Sequence, residues 1–138
     1  MGSESALSII NLSIPVFHFI ISIPMIALAV WLGIAGVRHL SLKVAETHRP
    51  ERVIKSGLYS LIRHPQYLAG LIAHLGITFL LSALYSLVFS PFMVIYVYII
   101  SRKEEKELVN EFGVEYLAYM EKVPRFVPLL FTRKKFFK

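Results

Sequence analysis

Two long apolar stretches and two charged blocks organise the chain. Residues 7–40 carry no charge except Arg38 near their end, and residues 66–101 carry none at all, only His74. Both runs are far longer than a soluble helix needs. At about 1.5 Å per residue, residues 66–101 make roughly 54 Å of helix, against a hydrocarbon core of about 30 Å. Two short helices in a hairpin fit that length, with the turn between Ser82 and Ser86. Residues 7–40 are also too long for one upright crossing, and Pro15 and Pro24 interrupt them. The pattern therefore predicts an N-terminal arm (1–13), a first span (14–40), a loop (41–64), two further spans (65–83 and 84–101) and a C-terminal segment (102–138). The rival arrangement folds 7–40 into a tight hairpin and gives four spans.

Beyond residue 101 the period changes. Leu108, Phe112, Tyr116 and Tyr119 or Met120 recur at spacings of three and four among charged residues, which predicts an amphipathic helix continuing from the last span. Gly113 can break it, and Pro124 and Pro128 end it. The expected fold is all-α, a single integral-membrane domain with about three transmembrane helices and a cytoplasmic amphipathic C-terminal helix.

Composition agrees, with 56% hydrophobic residues and a mean hydropathy of +0.62 over 138 residues. The net charge of +6 matters through its placement, because all 15 Lys and Arg lie in 38–63 and 102–138. The positive-inside tendency puts both blocks in the cytoplasm and allows the N-terminus, with only Glu4, to lie outside. The N-terminus lacks a basic flank and its apolar run exceeds a signal-peptide core, so no cleaved signal is expected. Met1-Gly2 is a weak match to an acylation context. With no cysteine, thiol catalysis, disulfides and cysteine metal sites are excluded. No metal-ligand spacing and no nucleic-acid motif is present. Arg133, Lys134, Lys135 and Lys138 suit contact with anionic lipid.

The chemistry concentrates where charge meets the apolar runs. In Gly57-Leu58-Tyr59-Ser60-Leu61-Ile62-Arg63-His64-Pro65-Gln66-Tyr67-Leu68-Ala69-Gly70, Pro65 suits a helix start and disfavours helical geometry at His64. Arg63 and His64 are then presented at a helix N-terminus, where unpaired N–H groups attract a carboxylate or phosphate. A basic membrane flank explains the same residues equally well. Arg102, Glu104 and Glu105 sit at the other border of the membrane segment, at the same depth as Arg63 and His64. The two groups can therefore line one cytoplasmic cavity that opens sideways to lipid. Lys103, Lys106, Glu107, Glu111 and Glu121 read as a solvated face. His74 lies deeper, where an interhelical hydrogen bond outweighs a substrate contact.

Gly57-x-Tyr59-x-x-x-Arg63-His64-Pro65-x-Tyr67, Glu104-Glu105-x-x-Leu108, and Phe112-Gly113-x-Glu115-Tyr116-x-x-Tyr119 with Val123-Pro124 together resemble the isoprenylcysteine carboxyl methyltransferase family. Related phospholipid N-methyltransferases share the broader pattern, and the resemblance covers roughly residues 38–128. It implies an integral-membrane enzyme using S-adenosyl-L-methionine in a cytoplasmic pocket. By motif, Tyr59, Arg63, His64, Pro65, Tyr67, Leu68, Gly70, Glu104 and Glu105 would bind the cofactor, and Arg102 and Glu105 would be catalytic beside the methyl acceptor. One departure is Ala69 at the usual glycine position, with Gly70 one residue later. The acceptor implied is lipophilic, most simply the carboxylate of a prenylated cysteine, with an amine lipid or small thiol as alternatives. A carboxylate is already a nucleophile that an arginine can hold; an amine or thiol needs a base such as Glu105 or His64. A non-catalytic lipid- or haem-binding module is the third reading, with His18, His39, His64 and His74 as conceivable haem ligands.

Overall fold

A computed structural model describes residues 2–39 and 52–127, with side chains for 16–38 and 52–127. Helix α1 (Gly2–His39) is followed by a short 3-10 turn (Gly57–Ser60), then α2 (Pro65–Leu80), α3 (Leu84–Phe112) and α4 (Val114–Lys122). No strand occurs among the described residues. Residues 41–51 of the loop expected at 41–64, and the basic tail at Arg133 to Lys138, lie outside them.

The break expected between an arm at 1–13 and a span at 14–40 does not form. α1 runs unbroken from Gly2 through Pro15 and Pro24 to His39. Each proline removes one backbone donor, yet in an apolar segment a continuous helix still satisfies the remaining backbone groups better than a break does. Val16–Arg38 of α1 and helix α3 are long and apolar enough to cross a membrane. Only 22% and 17% of their apolar windows are buried, which leaves most of both surfaces facing outward. α2, at 16 residues, is shorter.

α1 and α2 pack antiparallel: a Cβ on Gly36 would meet Pro65 and Gln66, and one on Gly76 would meet Met25 and Ile26. Gly76 marks a close approach. Its absent Cβ would lie 2.9 Å from Ile26 Cγ1 and 3.3 Å from the Ile26 backbone nitrogen. Small residues let apolar helices meet this tightly, where dispersion rather than water exclusion holds them.

The α2–α3 hairpin turns at residues 81–83, with Ser82 in the left-handed region at φ 51°. This is the near end of the expected turn between Ser82 and Ser86. No glycine or proline was needed, because Leu81 N–H donates to Ile77 O and Ala83 N–H to Thr78 O. Side chains stitch the two helices together behind the turn. Thr78 and Ser86 hydroxyls are 2.7 Å apart, and His74 Nε2 lies 3.1 Å from Ser90 Oγ. His74 thus makes the interhelical bond expected of it.

At Gly113 the backbone takes φ 56°, ψ −128°, a conformation few L-residues adopt, and α3 gives way to α4. The turn swings Tyr116 and Tyr119 onto Val53 and Val123, with Leu108, Val109, Phe112 and Met120 packed around them. Gly113→Ala is expected to lower stability by about 1–3 kcal/mol through backbone strain alone, since a Cβ there meets no atom within 4 Å. Thermal unfolding in detergent checks it; an unchanged midpoint would show that the break does not depend on glycine.

Candidate active site

Pro65 starts α2 and leaves His64 at its N-cap in a non-helical conformation, φ −125° and ψ 63°. The N–H groups of Arg63 and His64 themselves, just ahead of α2, are paired. Arg63 N–H donates to Pro124 O at 2.9 Å and His64 N–H to Arg125 O at 3.1 Å. The segment after α4 therefore returns to pair with the segment before α2. Tyr119 reinforces that return by donating its hydroxyl to Tyr59 O at 2.6 Å.

This pairing closes a charged cluster over α3. Glu105, 3% exposed, is its centre. His64 Nε2 lies 3.0 Å from Glu105 Oε1. Arg125 grips the same carboxylate with both prongs, Nε to Oε1 at 2.9 Å and Nη2 to Oε2 at 2.6 Å. Arg63 Nη1 is 3.0 Å from Oε1. No N–H of that nitrogen points along the contact, so within the described residues Arg63 Nη1 and Nε have no hydrogen-bond partner. Glu104, one residue away, accepts from Tyr67 Oη at 2.8 Å and stands 3.8 Å from His64 Nδ1. The His64 ring is stacked with Tyr67, centroids 5.4 Å apart, and tilted against Phe126 at 5.9 Å.

Electrostatics follow from that geometry. Burial pushes the Glu105 carboxyl up, but hydrogen bonds from His64 and Arg125 and the nearby Arg63 charge outweigh it and bring it down to about 2. Burial lowers the Arg63 guanidinium, an effect that Glu105 opposes. The Arg125 guanidinium is raised, first by its bonds to Glu105. Burial pushes the phenols of Tyr59, Tyr116 and Tyr119 up, so they stay protonated. Because the folded Glu105 value lies below the ordinary carboxyl value of about 4.3, its stabilisation is complete above that pH and disappears as pH falls toward 2. Unfolding midpoints in detergent should drop across this window by an amount equivalent to the order of 3 kcal/mol, and Glu105→Gln should flatten the dependence. A Glu105→Gln protein with the same acid profile would show that other carboxylates set it.

Beside the cluster lies a cavity of about 310 Å³. Arg102, Lys106, Asn110, Arg125 and Glu105 line it, with Val109 and Met120 as apolar wall. Neither Arg102 nor Lys106 forms an ion pair with a carboxylate among the described residues.

The structure thus brings together Arg63, His64, Pro65 and Tyr67 with Glu104 and Glu105, segments about forty residues apart in sequence. Arg102 borders the adjoining cavity. Tyr59 joins through its backbone carbonyl, and Leu68 N–H caps onto His64 O at 3.1 Å. Gly70 is exposed and a Cβ there would meet nothing, so it forms no cradle. Arg125, Phe126 and Tyr98 were missed. The one available signal was an arginine flanked by prolines after the last helix, and it carries no periodicity.

A family model for phospholipid methyltransferase matches residues 17–115. The chain belongs to the phospholipid methyltransferase family. Within the family it is 32% identical to a protein-S-isoprenylcysteine O-methyltransferase of Schizosaccharomyces pombe, over 70% of this chain and 41% of that one. It is also 33% identical to methanethiol S-methyltransferase 2 of Bradyrhizobium diazoefficiens, over 56% of this chain and 29% of that one. The chain therefore spans less than half the length of either relative. No solved structure matches it significantly. The family match includes Arg63, His64, Glu104 and Glu105 and ends at residue 115, before Arg125.

Proposed function

We propose that the protein is an S-adenosylmethionine-dependent methyltransferase of the membrane, acting on a lipophilic acceptor whose simplest form is the carboxylate of a prenylated cysteine. The observation that carries this reading is the join between two distant motifs, His64 to Glu105 at 3.0 Å and Tyr67 to Glu104 at 2.8 Å. In the proposed topology three helices span the bilayer, α1, α2 and the part of α3 up to Ser101. The N-terminus lies outside and the cluster faces the cytoplasm, as the two basic blocks favour.

The side chains present suit a zwitterionic cofactor. Arg63 has buried donors without partners. The Glu104 carboxylate keeps a third of its side-chain surface open, ready for an ammonium group. Tyr59, Arg63, His64, Pro65, Tyr67, Leu68 and Glu104 form the proposed cofactor wall, with Gly70 peripheral. S-Adenosylmethionine, when bound, supplies an electrophilic methyl group on a sulfonium. Arg102 holds the acceptor carboxylate in the adjoining cavity, and an oxygen nucleophile of this kind needs no base. Glu105 serves as an ionised anchor rather than a base, because both its oxygens are occupied and its carboxyl sits at about 2. The apolar walls of α2 and α3 keep water from the methyl group.

A thiol acceptor is the second reading, and His64 favours it: Nδ1 stands 3.8 Å from Glu104, outside hydrogen-bond range, and can accept a proton. The haem reading has little support. Of the candidate ligands, His64 is bonded to Glu105 and His74 to Ser90, on different elements, while the His39 side chain lies outside the described residues.

The test is transfer of labelled methyl from S-adenosylmethionine to a prenylcysteine, an amine lipid and a small thiol by the full chain. Labelled prenylcysteine is expected, and Arg102→Ala should raise its KM by about tenfold or more, the worth of a charge-assisted bond. Labelling of the thiol alone would move the assignment to the second reading. No transfer to any acceptor would overturn the proposal.

A further inference from the structure

Arg125 belongs to none of the three motifs, yet it binds the cluster through both its side chain and its backbone. Its Nε and Nη2 take one oxygen each of Glu105. Its Cζ sits 4.8 Å above the Tyr98 ring, and its carbonyl accepts the His64 N–H at 3.1 Å. One residue therefore holds the His64 backbone and also the carboxylate to which the His64 ring is bonded.

We propose that Arg125 is the positioning residue of the active site, locking Glu105 in one orientation so that the His64 ring is held as the Nε2–H tautomer with Nδ1 bare. This inference rests on the proposed methyl-transfer site and deepens it.

The alternatives for orienting Glu105 are weaker. Arg63 is as close, but its N–H groups do not point at the carboxylate, so it supplies charge without direction. Only a guanidinium presents two parallel donors, and a lysine at 125 would keep the charge while losing the fork. An ionised carboxylate held this way can only accept, so the hydrogen between His64 and Glu105 belongs to Nε2. Nδ1 then faces Glu104, whose nearest oxygen is already bonded to Tyr67. Phe126, the next residue along, leans on the same imidazole and fixes its plane. The segment after α4 thus sets both the position and the hydrogen of His64.

The experiment is a proton–nitrogen spectrum of the full chain in detergent micelles, with 15N-labelled histidine, recorded at pH 8 for wild type and Arg125→Lys. Wild type should show His64 as the Nε2–H tautomer. In Arg125→Lys the His64 signals should move to a mixture of tautomers while the His74 signals stay in place. Methyl transfer should fall by about tenfold in kcat/KM for the cofactor, as expected when a group of the cofactor wall is misaimed. An Nδ1–H tautomer in the wild type would overturn the inference without any variant. So would Arg125→Lys with unaltered His64 signals. The spectrum does not depend on activity, so a protein that transfers no methyl group would refute the function and leave the tautomer to decide this point.

Discussion

Glu105→Gln lowers the stability of the folded protein by about 3–5 kcal/mol, the usual cost of removing one partner from a buried ion cluster. The amide keeps the size of the carboxylate but cannot answer two guanidinium groups. Arg63, whose side chain is 9% exposed, would lose the only carboxylate within 4 Å among the described residues. Arg125 would lose one of its two bonds to residue 105 and the charge that strengthens the other, which weakens the tie that draws residues 123–127 onto Arg63 and His64. Chemical unfolding in detergent micelles, followed by far-UV circular dichroism, measures the change; a loss under about 1 kcal/mol would mean that the cluster is solvated. A companion protein separates stability from function. Replacing Arg63, Glu105 and Arg125 together by leucine removes the charges as a set, which in buried clusters is often neutral or stabilising. It should refold well and transfer nothing.

Gly76→Leu should cost at least about 1–3 kcal/mol, the range for forcing atoms into a filled interior. The new Cβ alone would stand 2.9 Å from Ile26 Cγ1, which can rotate away, and 3.3 Å from the Ile26 backbone nitrogen, which cannot. α1 and α2 must then separate, and with them the shelf on which Pro65 and Gln66 rest opposite Gly36. Gly33→Leu is the control, because a Cβ at Gly33 meets no atom within 4 Å. Unfolding midpoints of the two proteins should differ clearly, and equal midpoints would show that the helices meet less closely than described.

Local patterns foretold local structure. The uncharged run at 66–101 was legible as two helices, and Pro65 marked a helix start, because both signals are carried by neighbouring residues. Pro15 misled for the same reason. A proline rule drawn from water-exposed helices overstates the break where the backbone has no solvent to turn to. The charged residues at the two membrane borders were legible as partners, since equal depth is enough to bring Arg63 and His64 near Glu104 and Glu105. Which of them would be buried was not legible. That depends on Gly113 turning α4 back, on Tyr119 reaching Tyr59 and on Arg125 closing the cluster, each a contact between residues twenty to sixty positions apart. Gly70 shows the converse, a residue singled out by motif that faces open space.

The most direct measurement is calorimetric titration of S-adenosylmethionine into the full chain in lipid nanodiscs, beside Glu104→Gln and Tyr67→Phe. Both substitutions act at the open edge of the cluster and leave the Glu105 bonds in place. Saturable binding by the wild type, weakened about tenfold or more in Glu104→Gln as a charged contact is lost and less in Tyr67→Phe, is the result expected of a split pocket joining α2 to α3. Absence of binding in a folded wild-type protein, or equal affinity in all three, would contradict it.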